Sequence, residues 1–96
     1  MKLAEFLLNL TNLGVSVLVY SPGPGFWIIC LRYEEYRIKT TLARHKLYDS
    51  NLSLDDVIAF AIKTCAEDLS NLLTVSKNPS NNAVGRNIKV LLSKED

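Results

Sequence analysis

The stretch Tyr-Ser-Pro-Gly-Pro-Gly-Phe-Trp at residues 20–27 is the first place to look for chemistry, holding two of the three prolines and two of the four glycines. Glycine-rich loops cradle phosphates when successive amides point at the anion and a helix N-terminus follows. Here Pro24 removes one amide, and the third glycine of a dinucleotide fingerprint is missing. The residues that follow, Phe-Trp-Ile-Ile-Cys-Leu-Arg-Tyr, are strand formers and not helix formers. The stretch therefore reads as hairpin punctuation, with proline fixing φ and glycine supplying positive φ.

The other reactive side chains assemble no site by spacing. His45 is the one histidine and stands between Arg44 and Lys46, which disfavour both a proton and a metal cation there. Asp55 and Asp56 are neighbours on a predicted helix, so their carboxylates diverge by about 100° and share no proton. Glu34 and Glu35 fall at a turn tip in full solvation. Cys30 and Cys65 lie far apart in sequence and belong to no Cys-x-x-Cys or Cys/His cluster, which points to unlinked thiols in a reducing, cytoplasmic compartment. The expectation is a protein that is not an enzyme and carries no cofactor and no metal.

The elements that position these residues follow from periodicity. Leu3, Phe6, Leu7, Leu10 and Leu13 mark one helix face, and Gly14 stands where a C-terminal cap belongs. Asn and Glu residues interrupt that first apolar run, which separates it from a secretory signal. Val-Ser-Val-Leu-Val-Tyr, then Phe-Trp-Ile-Ile-Cys-Leu-Arg-Tyr, then Tyr-Arg-Ile-Lys-Thr-Thr-Leu-Ala-Arg read as three strands. Ser53 opens a second helix in the manner of a capping box with Asp56. Its apolar face is predicted as Leu54, Val57, Ile58, Ala61, Cys65, Leu69 and Leu72. Residues 75–82 read as a linker, and Val84, Ile88, Leu91 and Leu92 suggest a short last helix in a C-terminal segment spanning 83–96. The fold class is α+β: helix, three-stranded antiparallel meander, helix on one sheet face and a short C-terminal helix. It forms one domain over 1–96, with its core in 1–74.

Two hairpin registers test each other. A Glu34-Glu35 turn pairs Tyr33 with Tyr36, Leu31 with Ile38 and Ile29 with Thr40. A five-residue loop from Ser21 to Gly25 pairs Tyr20 with Phe26, Val19 with Trp27 and Val17 with Ile29. Both place Val15, Val17, Val19, Trp27, Ile29, Leu31, Ile38, Thr40 and Leu42 on one inner face. The outer face then carries Leu18, Tyr20, Phe26, Ile28 and Cys30 beside Arg32, Arg37 and Lys39, where a solvated sheet would be polar. A large exposed apolar patch marks an interface. Three occupants compete for it: the C-terminal segment folded back, a protein partner (a second copy included), or nucleic-acid bases stacked on Tyr20 and Phe26 with phosphates on the three cations.

Totals limit these choices. The 96 residues are 48% hydrophobic and 22% charged, with a formal net charge of +1, too little for a dedicated nucleic-acid neutraliser. No run of about 18 apolar residues is present to span a membrane.

The order helix, three strands, helix resembles the double-stranded-RNA-binding domain, although Ser-Leu-Asp-Asp stands where that family has a lysine-rich helix start. Through Gly-Val-Ser-Val-Leu-Val-Tyr, Phe-Trp-Ile-Ile-Cys-Leu-Arg-Tyr and Leu-Ser-Leu-Asp-Asp-Val-Ile-Ala-Phe-Ala-Ile, residues 1–73 also resemble small proteins of phages and mobile elements, including some anti-CRISPR inhibitors. That resemblance is architectural. It implies a compact, non-enzymatic binder that blocks a larger nucleic-acid machine. The expected contact residues are Leu18, Tyr20, Phe26, Ile28, Arg32, Arg37 and Lys39.

Overall fold

A computed structural model describes residues 2–43 and 53–94. In chain order it contains α1 (Leu3–Asn12), β1 (Ser16–Gly23), β2 (Phe26–Tyr33), β3 (Tyr36–Ala43), α2 (Leu54–Thr74) and α3 (Pro79–Ser93). The strands form one antiparallel sheet in the order β1-β2-β3. This is the helix, meander and following helices that the periodicity predicts.

Local chemistry sets the ends of the helices. Helix α1 stops at Gly14, whose φ of +89° costs an L side chain but not glycine. The Gly14 amide donates to Thr11 O at 2.9 Å and the Val15 amide to Leu10 O at 3.0 Å, satisfying carbonyls the helix leaves open. At the start of α2, Ser53 Oγ accepts from the Asp56 amide at 3.2 Å, the first half of the expected capping box. Asp55 and Asp56 lie in the first turn, where carboxylates suit the helix dipole.

The β2–β3 hairpin has the predicted register: Tyr33↔Tyr36, Leu31↔Ile38, Ile29↔Thr40 and Trp27↔Leu42. The β1–β2 hairpin differs. Val19 pairs with Ile29, Val17 with Leu31 and Tyr20 with Ile28, a shift of two residues from expectation. The turn is Pro24-Gly25 alone, between the paired Gly23 and Phe26. Ser21 and Pro22 together stand opposite Trp27, a one-residue bulge on an edge strand, where proline withholds no ladder bond that the sheet requires. The Ser21 hydroxyl lies 2.7 Å from Gly23 O and 2.8 Å from Phe26 O, so it donates into the bulge. Positive φ is used by neither Gly23 nor Gly25; among the described residues it occurs at Gly14 and Glu34. Because the shift is even, every side chain keeps its predicted face.

The core lies between the inner sheet face and the helices. Phe6 and Leu10 of α1, Val15, Ile29 and Leu31 of the sheet side, and Ile62, Leu69, Leu73 and Ile88 of the last two helices are all buried. Each such side chain contributes on the order of 1.5–3 kcal/mol by leaving water. Helix α2 packs on β2 and β3, and α3 packs on α2 and α1.

Two helical expectations are corrected. The linker is 75–78 and not 75–82, because Asn78 caps α3 by accepting from the Ser80 amide at 2.9 Å and Pro79 occupies the first turn. The buried face of α2 is Ala61, Ile62, Cys65, Ala66, Leu69, Ser70 and Leu73, whereas Leu54 and Leu72 are exposed. Packing of α3 along a second side of α2 explains the change, since it draws in Ile62, Ala66, Ser70 and Leu73.

Polar groups fix that helix pair. Ser70 Oγ donates to Gly85 O at 2.6 Å in the buried interface. Asn82 Nδ2 lies within reach of the carbonyls of Leu73, Thr74 and Ser76 (2.9, 3.2 and 2.7 Å) and closes the C-terminus of α2. Asn81 Nδ2 reaches Ser76 Oγ at 3.2 Å and the Tyr36 hydroxyl at 3.4 Å, joining the helix turn to the start of β3.

Candidate functional site

Three cross-strand rows make up most of the outer face of the sheet, with Phe26 beyond them, paired with Gly23. Ser16, Arg32 and Arg37 form the first; Leu18, Cys30 and Lys39 the second; Tyr20, Ile28 and Thr41 the third. Period-two alternation puts these residues opposite Val17, Ile29, Leu31 and Ile38, which face the helices. Among the described residues no helix lies across the outer face, since α2 packs on the inner side of β2 and β3 and α3 packs on helices. Residues 83–94 of the C-terminal segment therefore do not fold back over it.

The expected contact residues differ in access. Leu18 is 57% exposed and Phe26 37%. Tyr20 is half-buried, and Arg32, Arg37 and Lys39 are exposed. Ile28 is only 9% exposed, held in the central strand between Tyr20 and Thr41. It forms the floor of the face and presents little of itself to a partner. A shallow concavity of about 390 Å³ brings together Leu18, Tyr20, Cys30, Arg32, Arg37 and Lys39, with Ser16 at its end. Phe26 and Ile28 are not among its walls. Alternation places Cys30 on this face, two residues from both Ile28 and Arg32. It also forms a wall of the groove, although it is not one of the expected contact residues.

A second concavity of about 630 Å³ lies on the helical side, lined by Phe60, Lys63, Glu67, Asn71 and Lys89 among others. Phe60 is 72% exposed there, and the sequence pattern does not mark it because it lies off the apolar stripe of α2. Among the described residues the charges of this concavity are of both signs, whereas those of the outer-face groove are all positive.

The thiols are not bonded to one another. Burial pushes the Cys65 thiol from 9.0 up to about 11, and Asp68 and Cys30 push it the same way. The folded state holds this proton more tightly than the unfolded chain, so the associated stability is complete below pH 9 and is lost as pH rises through about 11. The loss is roughly 2–3 kcal/mol, because each tenfold difference in proton affinity between the two states is worth about 1.4 kcal/mol. Urea midpoints at pH 7.5 and 10.5 will fall further in the wild type than in Cys65→Ala; equal falls would rule this out. At neutral pH iodoacetamide will label half-buried Cys30 well before Cys65.

Among the described residues no group of three or more His, Cys, Asp or Glu side chains is placed to hold a metal ion, and no helix is long and apolar enough to cross a membrane. His45, with Arg44 and Lys46, lies outside the described residues. Compared with family models, curated proteins and solved structures, the chain matches none.

Proposed function

We propose that this protein is a non-enzymatic interaction module that binds a protein partner through its outer sheet face, in the manner of a small inhibitor of a host nucleic-acid machine. The observation that carries the reading is Leu18, 57% exposed between Tyr20 and the cationic row on a sheet face that no described helix covers. Leaving such a block in water forgoes roughly 25 cal/mol per Å² of burial, which a partner recovers. Ile28 and Cys30 stand in the central strand, paired on both sides. A second copy of the chain is one form such a partner takes, and the cytoplasm is the compartment that suits two free thiols.

The competing reading is a nucleic-acid surface, favoured by the three cations beside Tyr20. Capture by tagged protein, with and without nuclease, separates the two. A protein interface predicts a stoichiometric partner that survives nuclease. A bound set that vanishes with nuclease would replace this reading with the nucleic-acid one.

A further inference from the structure

The register places two arginines directly across from each other. Arg32 pairs with Arg37 at the end of the outer face, and Lys39 stands in the adjoining row. Like charges directly opposite on one sheet face destabilise it, so this arrangement works against the fold. Among the described residues no carboxylate pairs with Arg37 or Lys39, and Arg32 directs its Nε to the backbone carbonyl of Glu34 at 3.1 Å. Among the described residues the groove between these cations is lined by no acidic side chain, and its other walls are Leu18, Tyr20, Cys30 and Ser16.

The geometry points to an acidic peptide segment as the occupant of this groove: carboxylates on Arg32, Arg37 and Lys39, and an apolar side chain on Leu18 and Cys30. This rests on the reading above that the outer face is the contact surface, and it adds the chemistry of the partner. Arginine forks hold carboxylates by paired hydrogen bonds, and the occupant's charge removes the repulsion built into the Arg32↔Arg37 pair. A nucleic-acid strand fits less well. Affinity for a nucleic-acid strand is built mainly from phosphate contacts, whereas this groove offers Arg32, Arg37 and Lys39 around an apolar floor, in a chain of net charge +1.

The test is fluorescence anisotropy of the full chain with three labelled probes: the peptide Glu-Glu-Leu-Leu-Glu-Glu, its Gln counterpart, and a short oligouridylate. The Glu peptide is expected to bind at least about tenfold tighter than the Gln peptide, with the preference lost in Arg37→Glu. Arg37→Glu also replaces a like-charge pair by an opposite one, so it will melt no lower than the wild type, which shows that it folds. Equal binding of the Glu and Gln peptides would overturn the inference, as would tighter binding of oligouridylate. If Leu18→Asp weakens peptide binding while Arg37→Glu does not, the acidic partner is wrong and the surface reading stands. If neither variant changes binding, both are wrong.

Discussion

Gly85→Val will lower the melting temperature by roughly 10–25 °C, the largest stability loss expected from a single added side chain in this protein. A Cβ at Gly85 would lie 2.8 Å from Thr74 Cγ2, 3.0 Å from Leu73 Cβ and 3.0 Å from the Ser70 carbonyl oxygen. The threonine methyl can rotate away, but a Cβ and a backbone oxygen cannot move without moving α2. The two helices must therefore separate. Separation also stretches the 2.6 Å bond from Ser70 Oγ to Gly85 O and pulls Ile88 and Leu91 from the core. Overpacking of this kind costs about 1–3 kcal/mol, and a branched side chain at a contact this close belongs at the upper end. That outweighs the gain of roughly a few tenths of a kcal/mol from replacing a helical glycine by valine, itself a poor helix former. Gly25→Ala is the control, because a Cβ there meets nothing within 4 Å. Thermal melts followed by circular dichroism read both; a Gly85→Val protein melting with the wild type would show that the helices do not pack this way.

Leu18→Asp will abolish partner binding while leaving the fold intact. Leu18 is 57% exposed, so the substitution removes little core packing and buries no charge in the free protein. In the complex the new carboxylate would be enclosed against an apolar surface without a hydrogen-bond partner, a cost of several kcal/mol and hence a loss of at least about a hundredfold in affinity. Phe60→Asp, on the helical side and 72% exposed, makes the same chemical change away from the proposed surface. Nuclease-treated capture with both variants is the measurement: retention of the partner by Phe60→Asp and its loss by Leu18→Asp are expected. The opposite pattern would move the interface to the groove beside α2.

Most of the sheet is legible in the sequence because alternation has a period of two. Val17, Ile29, Leu31 and Ile38 identify the inner face, and the Glu34-Glu35 turn fixes how β2 meets β3. The β1–β2 register is not legible to the residue, since a proline-containing bulge and a five-residue loop leave the same side chains on the same faces. The start of α3 is hidden for a different reason. Asn82 and Gly85 count against a helix by propensity, yet the fold uses both for tertiary contacts, Asn82 to close the end of α2 and Gly85 to admit it closely. The stripe of α2 misleads at Leu72 because one helix carries two packing surfaces, and a single-face pattern cannot show the second. At the candidate site, alternation finds the outer-face residues, but it does not show that Ile28, in the central strand, is only 9% exposed.

Cys30 provides a native probe for the central claim, because it lines the outer-face groove while Cys65 is buried on α2 as an internal reference. The measurement is the rate of iodoacetamide labelling of Cys30 at neutral pH, free and in the nuclease-resistant complex with its captured partner. A partner seated on the outer face will slow Cys30 labelling by about tenfold or more, with Cys65 unreactive in both states. An unchanged Cys30 rate in a stoichiometric complex would show that the partner binds elsewhere and would contradict the account.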